Sequence, residues 1–295
     1  MKPLEPAAAS TDAAAGPTPL STQRTFKLTV AYDGTHYAGW QVQLRRQTVQ
    51  GAIEKAIAQV ANERVRVTGS GRTDSGVHAI AQVASFSLSH WRARAEDLAR
   101  ALNSKLPPDI AVRELSDAAA DFHAIRDAIG KRYRYQLQIG GGRDAFEYRY
   151  RWHLPGPIDV AAMRTAAELL RGRHDFASFQ AAGSDRKTTV RDVRALEIID
   201  QGSATGAGQG SDDPAVQRLA IEVEADGFLY NMVRNIVGTL VEVGRGKRDP
   251  AWAAEVLAAR DRTVAGPTAP PHGLFLLRVD YRPTNLEDSS GPETA

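Results

Sequence analysis

An α+β fold of two tandem βαββαβ units is the architecture this sequence predicts, on three observations. Alternating apolar residues mark strands at intervals, stripes at helical spacing fall between them, and the order of the two kinds of element occurs twice. In the first unit Phe26, Leu28, Val30 and Tyr32 alternate as a strand does. Val49, Ile53, Ala56, Ile57 and Val60 then fall at helical spacing behind Thr48, a residue suited to cap a helix N-terminus. Val65 and Val67 predict a second strand, and Ala84, Phe86 and Leu88 a third. A helix around Glu96 to Ser104 is stopped by Pro107 and Pro108, and Ile110 and Val112 begin a fourth strand.

The second unit repeats the order. Tyr133, Tyr135, Leu137 and Ile139 alternate with Arg132, Arg134, Gln136 and Gln138, the clearest strand in the chain. Asp159 precedes a helix carrying Val160, Met163, Ala167 and Leu170, and strands follow near 191–199 and 216–224. Leu229, Val233, Ile236, Val237 and Leu240 form a helical stripe ending near Gly244 and Gly246. A helix around Ala251 to Arg260 leads to a last strand with Phe275, Leu277, Val279 and Tyr281 on one face. Each unit reads as a ferredoxin-like half, a mostly antiparallel sheet with helices on one side, a topology shared with RNA-recognition modules. The halves cover residues 24–120 and 121–282. Residues 1–22 and 283–295 are low-complexity tails expected to be disordered, and Gln201 to Pro214 is expected to be a long flexible loop.

Composition narrows the chemistry. The chain has 295 residues, ample for a sizeable core, and no apolar run near the roughly 18 residues of a membrane span. Cysteine is absent, which removes thiolate nucleophiles, cysteine-ligated zinc, iron–sulfur clusters and disulfides, and fits a reducing cytoplasm. The N-terminal stretch lacks the basic start and compact apolar segment of a secretory signal. Lys+Arg number 37 against 35 acidic residues, a formal charge of +2, but the two tails are net acidic and residues 24–282 carry +6. Of the cationic residues 30 are Arg, whose guanidinium fork matches phosphate and stacks on bases; a G+C-rich genome produces the same bias.

Between the second and third strands lies Thr68-Gly69-Ser70-Gly71-Arg72-Thr73-Asp74-Ser75-Gly76-Val77-His78-Ala79. Three glycines among polar residues make a tight loop that a ligand can approach closely. It lacks the Gly-Lys-Ser/Thr ending of a P-loop and the last interval of a dinucleotide fingerprint. The residues alone leave two readings. Asp74 forms an Asx turn in a purely structural loop, or Arg72 holds the Asp74 carboxylate ionised beside an anionic substrate.

Arg72 to Ala79 closely resembles the signature of the TruA family of tRNA pseudouridine synthases. The resemblance continues in order through Tyr32-Asp33-Gly34-Thr35 with Tyr37, Gly39, Trp40 and Gln41. It then runs through Asp121-Phe122-His123-Ala124, Lys131 to Tyr135, Asn231 to Gly238 and Gly273-Leu274, and so spans residues 24–282. It implies isomerisation of uridine to pseudouridine at positions 38, 39 and 40 of the tRNA anticodon stem-loop, no cofactor and no metal, and a homodimer with tRNA contacted by both subunits. Asp74 matches the family's catalytic aspartate. Arg72 matches the arginine that helps hold the target nucleotide out of the helix. Tyr133 matches the tyrosine whose ring stacks on the flipped uracil; its place at the strand start is expected to let it reach a cleft, with Tyr135 packing inward. Arg234 matches a basic residue expected to pair with the aspartate, and Leu274 is expected to form part of the apolar pocket wall. One departure stands out: after Phe122-His123-Ala124 the family usually has Arg, where this chain has Ile125 followed by Arg126, so a contact is expected to be displaced by one residue or lost.

Three competing assignments are weaker. His36, His78 and His123 lack the spacing of a zinc site. A non-catalytic RNA-binding protein would carry the aromatic signature of RNA-recognition strands, which is missing. A glycoside hydrolase needs a second carboxylate near the Asp74 loop, and none stands out.

Overall fold

The computed structural model describes residues 23–181, 188–204 and 216–282. The expected tails, 1–22 and 283–295, lie outside them. In chain order the elements are β1 (Arg24–Tyr32), α1 (Val49–Ala61), β2 (Thr68–Gly69), β3 (His78–Leu88), α2 (Ala95–Asn103), β4 (Ile110–Ala118), β5 (Ala128–Ile139), β6 (Trp152–Leu154), α3 (Val160–Glu168), β7 (Gly172–Asp175), β8 (Val190–Ala204), β9 (Val216–Ala225), α4 (Met232–Gly244), α5 (Trp252–Ala259) and β10 (Leu274–Tyr281). The fold is α+β, and the ten strands form one mostly antiparallel sheet in the order β4-β1-β3-β10-β5-β9-β8-β7, with β2 on β3 and β6 on β5.

Local chemistry fixes several element ends as the sequence predicts. The Thr48 side chain accepts from the Gly51 amide at the start of α1, and the Asp159 carboxylate accepts from Ala162 at the start of α3. Alternation in β1 buries Phe26, Leu28 and Val30, and α4 is buried along most of its length, with Val233 and Ile236 facing the core.

Other expectations are corrected. The strand predicted at Val65 and Val67 shrinks to Thr68–Gly69, because α1 side chains take the backbone groups of Val67: its amide donates to Glu54 Oε1 at 3.0 Å and its carbonyl accepts from Gln50 Nε2 at 3.0 Å. The third strand starts at His78 rather than near Ala84, hidden in the sequence because buried polar Gln82 and Ser85 interrupt the apolar alternation. Gln201 to Ala204 are not loop but the end of β8, which continues past a register irregularity with Gly202 at φ +93°; residues 205–214 lie outside the description. In β10, register shifts after Leu276 and Asp280 break the single-face alternation, and the buried residues are the consecutive Leu274, Phe275 and Leu276. Two short strands, β6 and β7, have no sequence alternation to announce them.

A parallel joint lies at the middle of the sheet. β10 runs parallel to β3 for only two residue pairs, Phe275 with His78 and Leu276 with Ala79, and antiparallel to β5 on its other side. The loop carrying Asp74 ends where this pairing begins.

Candidate active site

The loop between β2 and β3 is held from every side. Trp40 N–H donates to Thr73 O at 3.0 Å, the Ser75 hydroxyl donates to Tyr37 O at 3.0 Å, and Val77 N–H donates to Asp74 O at 3.1 Å. The hydroxyls of Tyr32 and Thr73 are 2.8 Å apart, both buried, and Gln82 Nε2 donates to Gly71 O at 2.9 Å. Gly39 backs the loop at φ +89°, and a Cβ there would stand 2.5 Å from Thr73 O, so only glycine fits.

This scaffolding presents the Asp74 side chain. Among the described residues it makes no hydrogen bond to backbone, so the Asx-turn reading fails. Instead Asp74 Oδ2 lies 3.6 Å from Arg234 Nη1, an ion-pair distance longer than a direct hydrogen bond. Burial pushes the Asp74 carboxyl above its ordinary value, and the attraction of Arg234 offsets part of that rise.

Arg234 stands in the first turn of α4 and is itself held. Its Nε donates to Ala269 O at 2.7 Å and its Nη1 to Asn231 Oδ1 at 3.0 Å, while Ala269 N–H donates back to Arg234 O at 3.1 Å. Arg72, by contrast, is exposed and forms no ion pair among the described residues. The guanidinium beside Asp74 is therefore not that of its loop neighbour Arg72, the partner that spacing alone suggests, but that of Arg234, whose pairing the resemblance leads one to expect.

Tyr133 does not start its strand. β5 begins at Ala128, and Tyr133 sits within it between Leu276 of β10 and Val223 of β9. Its ring meets Phe228 edge-on, with centroids 5.0 Å apart. Burial, helped by the electrostatics of Tyr32 and Asp74, drives its hydroxyl far above the ordinary tyrosine range. Tyr135 packs inward as predicted, fully buried, with its hydroxyl donating to Pro270 O at 2.7 Å. Leu274, opposite Tyr135 in the register, is buried at the start of β10. The structure thus pairs Asp74 with Arg234, sets Leu274 on the strand beside that of Tyr133, and leaves Arg72 exposed.

His78 has a structural role. Its Nε2 sits 3.1 Å from both Arg149 O and His272 O, so that nitrogen carries the proton, and its ring stacks on Phe275 at 4.6 Å. Burial pushes its pKa down, against the attraction of Asp33. His123 accepts the Ile125 and Arg126 amides through Nδ1. Where the family usually has Arg, Ile125 is half exposed, and Arg126 pairs with Asp127 at 2.9 Å. Among the described residues no group of three His, Cys, Asp or Glu could hold a metal ion, and no helix is long and apolar enough to cross a membrane.

Sequence reasoning missed two groups here. Asn231 and Ala269 fix the Arg234 guanidinium. Asn231 lies inside a quoted motif without a role, and Ala269 acts through a backbone carbonyl that no side chain announces.

A tRNA pseudouridine synthase from Geobacter sulfurreducens, named tRNA pseudouridine synthase A, is 44% identical over 261 residues, covering 88% of this chain and all of that one. The protein of the same name from Moorella thermoacetica is 46% identical over 258 residues, covering 87% of this chain and 99% of that one. The one from Myxococcus xanthus is 44% identical over 257 residues, covering 87% and 92%. The family model described as tRNA pseudouridine synthase matches residues 28–125 and 166–282, both sides of the Asp74–Arg234 pair. A chain with these relatives, matched over most of its length, belongs to the tRNA pseudouridine synthase family.

Proposed function

We propose that this protein isomerises uridine to pseudouridine at positions 38, 39 and 40 of the tRNA anticodon stem-loop, with Asp74 as the reacting carboxylate. Family membership makes it an enzyme acting on uridine in tRNA.

One observation carries it: a half-buried carboxylate, free of backbone hydrogen bonds, faces a fixed guanidinium in a cluster with an aromatic ring. The reaction breaks the bond from N1 to C1′, turns the base in the pocket and rejoins it through C5. A carboxylate serves this by attack at C1′ or at the base, or by removing a ribose proton. Tyr133 supplies the stacking ring for the extruded uracil and Leu274 an apolar wall. Exposed Arg72 fills the space the nucleotide leaves and bonds phosphate, which lowers the cost of flipping. The strand orders β4-β1-β3, with β2 on β3, and β10-β5-β9-β8 support reading the sheet as two ferredoxin-like halves whose junction carries the site. The enzyme works as a homodimer in the cytoplasm, in keeping with its cysteine-free chain.

Tritium release from C5-labelled uridine in tRNA transcripts, mapped by position, tests this. Release confined to positions 38, 39 and 40 supports the reading, and release elsewhere overturns it.

A further inference from the structure

Asn231 is the residue just before α4, and it sits in the left-handed region at φ 59°, uncommon for anything but glycine. Asparagine is among the best helix caps, yet this one makes no side-chain cap hydrogen bond. Its Oδ1 accepts from Arg234 Nη1 at 3.0 Å, the same nitrogen that lies 3.6 Å from Asp74 Oδ2. The other end of the guanidinium is tied through Nε to Ala269 O at 2.7 Å. Two anchors fix a planar fork, whereas one leaves it free to rotate about that bond. A strained backbone combined with an unused capping side chain is a local departure that the surrounding structure maintains for a reason.

We propose that Asn231 is a positioning residue for the isomerisation, holding the Arg234 guanidinium in the orientation that faces Asp74. The inference rests on the reading of Asp74 as the reacting group. The groups that meet this arrangement are few. Asp74 is faced by Arg234 from α4 and by Tyr133 from β5, and Arg234 also acts electrostatically on Tyr135 and His272. Both tyrosine hydroxyls are held far above the ordinary range by burial and stay neutral, and burial pushes His272 down so that it too is neutral around pH 7. Among these groups Arg234 is the cation that favours the ionised Asp74 against burial, and its orientation sets how strongly it does so.

Asn231→Gly removes the side chain while suiting the left-handed backbone, so the helix start survives. Asn231→Asp keeps shape and hydrogen bond but gives the guanidinium a second carboxylate to share. In single-turnover pseudouridine formation, Asn231→Gly is expected to lower the rate roughly 10- to 100-fold, the scale of a misplaced catalytic group. The acid limb of its pH–rate profile should move up, with tRNA affinity near wild type. Asn231→Asp should move the limb up as well, and answers the question should the glycine variant fold poorly. A purely structural residue would change thermal stability without moving the limb. An acid limb unmoved in both variants overturns the proposal, whatever happens to the rate. Asp74→Asn, run in parallel, separates the two levels. If it is inactive while the Asn231 variants behave as wild type, only the positioning role fails. If it is active, the reading of Asp74 fails and the positioning role with it.

Discussion

The Asp74 carboxylate and the Arg234 guanidinium face each other at 3.6 Å, near enough to attract and too far to share a direct hydrogen bond. Arg234 is tied to Ala269 and Asn231 instead, so it exerts its charge on Asp74 without locking it. The Asp74 carboxyl is meanwhile held above the ordinary value by burial.

That balance predicts a gain in stability from Asp74→Asn. A carboxyl whose folded pKa is raised contributes stability below its unfolded pKa and loses it as pH rises through the folded value. The ionised form of Asp74 is the poorly solvated one, and Asn removes it. The variant should melt at a higher temperature than the wild type at neutral pH, and the gap should narrow as both are taken down to about pH 4, near the ordinary aspartate range. A variant that melts lower at neutral pH would show that the Arg234 attraction outweighs the burial. The same variant should give no product above background in single turnover while still binding tRNA, since phosphate contacts dominate affinity.

Arg234→Lys should not substitute. A single ammonium cannot bond Ala269 O and Asn231 Oδ1 and face Asp74 together, as the fork does. Turnover is expected to fall by about 10-fold or more with tRNA affinity little changed, the pattern of a displaced charge at the reacting centre. Steady-state kcat and KM with a tRNA transcript decide it.

Gly39→Ala places a methyl 2.5 Å from Thr73 O at a backbone φ of +89°. The strain is worth about 1–3 kcal/mol of stability. Because the strained contact is with the Asp74 loop itself, activity measured well below the melting temperature should fall too. Urea denaturation and single-turnover assays on the same preparation would show both losses, and normal activity in a destabilised protein would refute the second.

Tyr32→Phe leaves the buried Thr73 hydroxyl without its 2.8 Å partner. The expected loss is about 1–3 kcal/mol in urea denaturation, the cost of a buried unsatisfied group. The double variant with Thr73→Val should recover part of it, because both polar groups are then gone.

The architecture was legible wherever burial follows alternation or helical period, as in β1, α1, β5 and α4, and wherever a cap is a side chain, as at Thr48 and Asp159. It failed where side chains from another element take a strand's backbone partners, as Glu54 and Gln50 do at Val67, and where buried polar residues break the pattern, as Gln82 does in β3. The loop that carries Asp74 was legible because its motif is local in sequence. Residue spacing alone pointed to Arg72 as its cation, whereas the motif match at Arg234 pointed across the fold. The anchors of Arg234 were not visible, since one is a main-chain carbonyl and the other is an asparagine that structure alone distinguishes from a helix cap.

The two-pair parallel seam between β3 and β10 also sets an order of events in synthesis. His78 and His272, joined across it, are 194 residues apart in the chain. The first half can form β1, α1, β3 and β4 soon after emerging from the ribosome, because their partners are close in sequence. Phe275 cannot stack on His78, nor Ala269 hold Arg234, until almost the whole described chain has been translated. Nascent chains stalled before β10 would therefore carry the Asp74 loop without the strand that pairs beside it, and this joint closes only as the last described strand emerges.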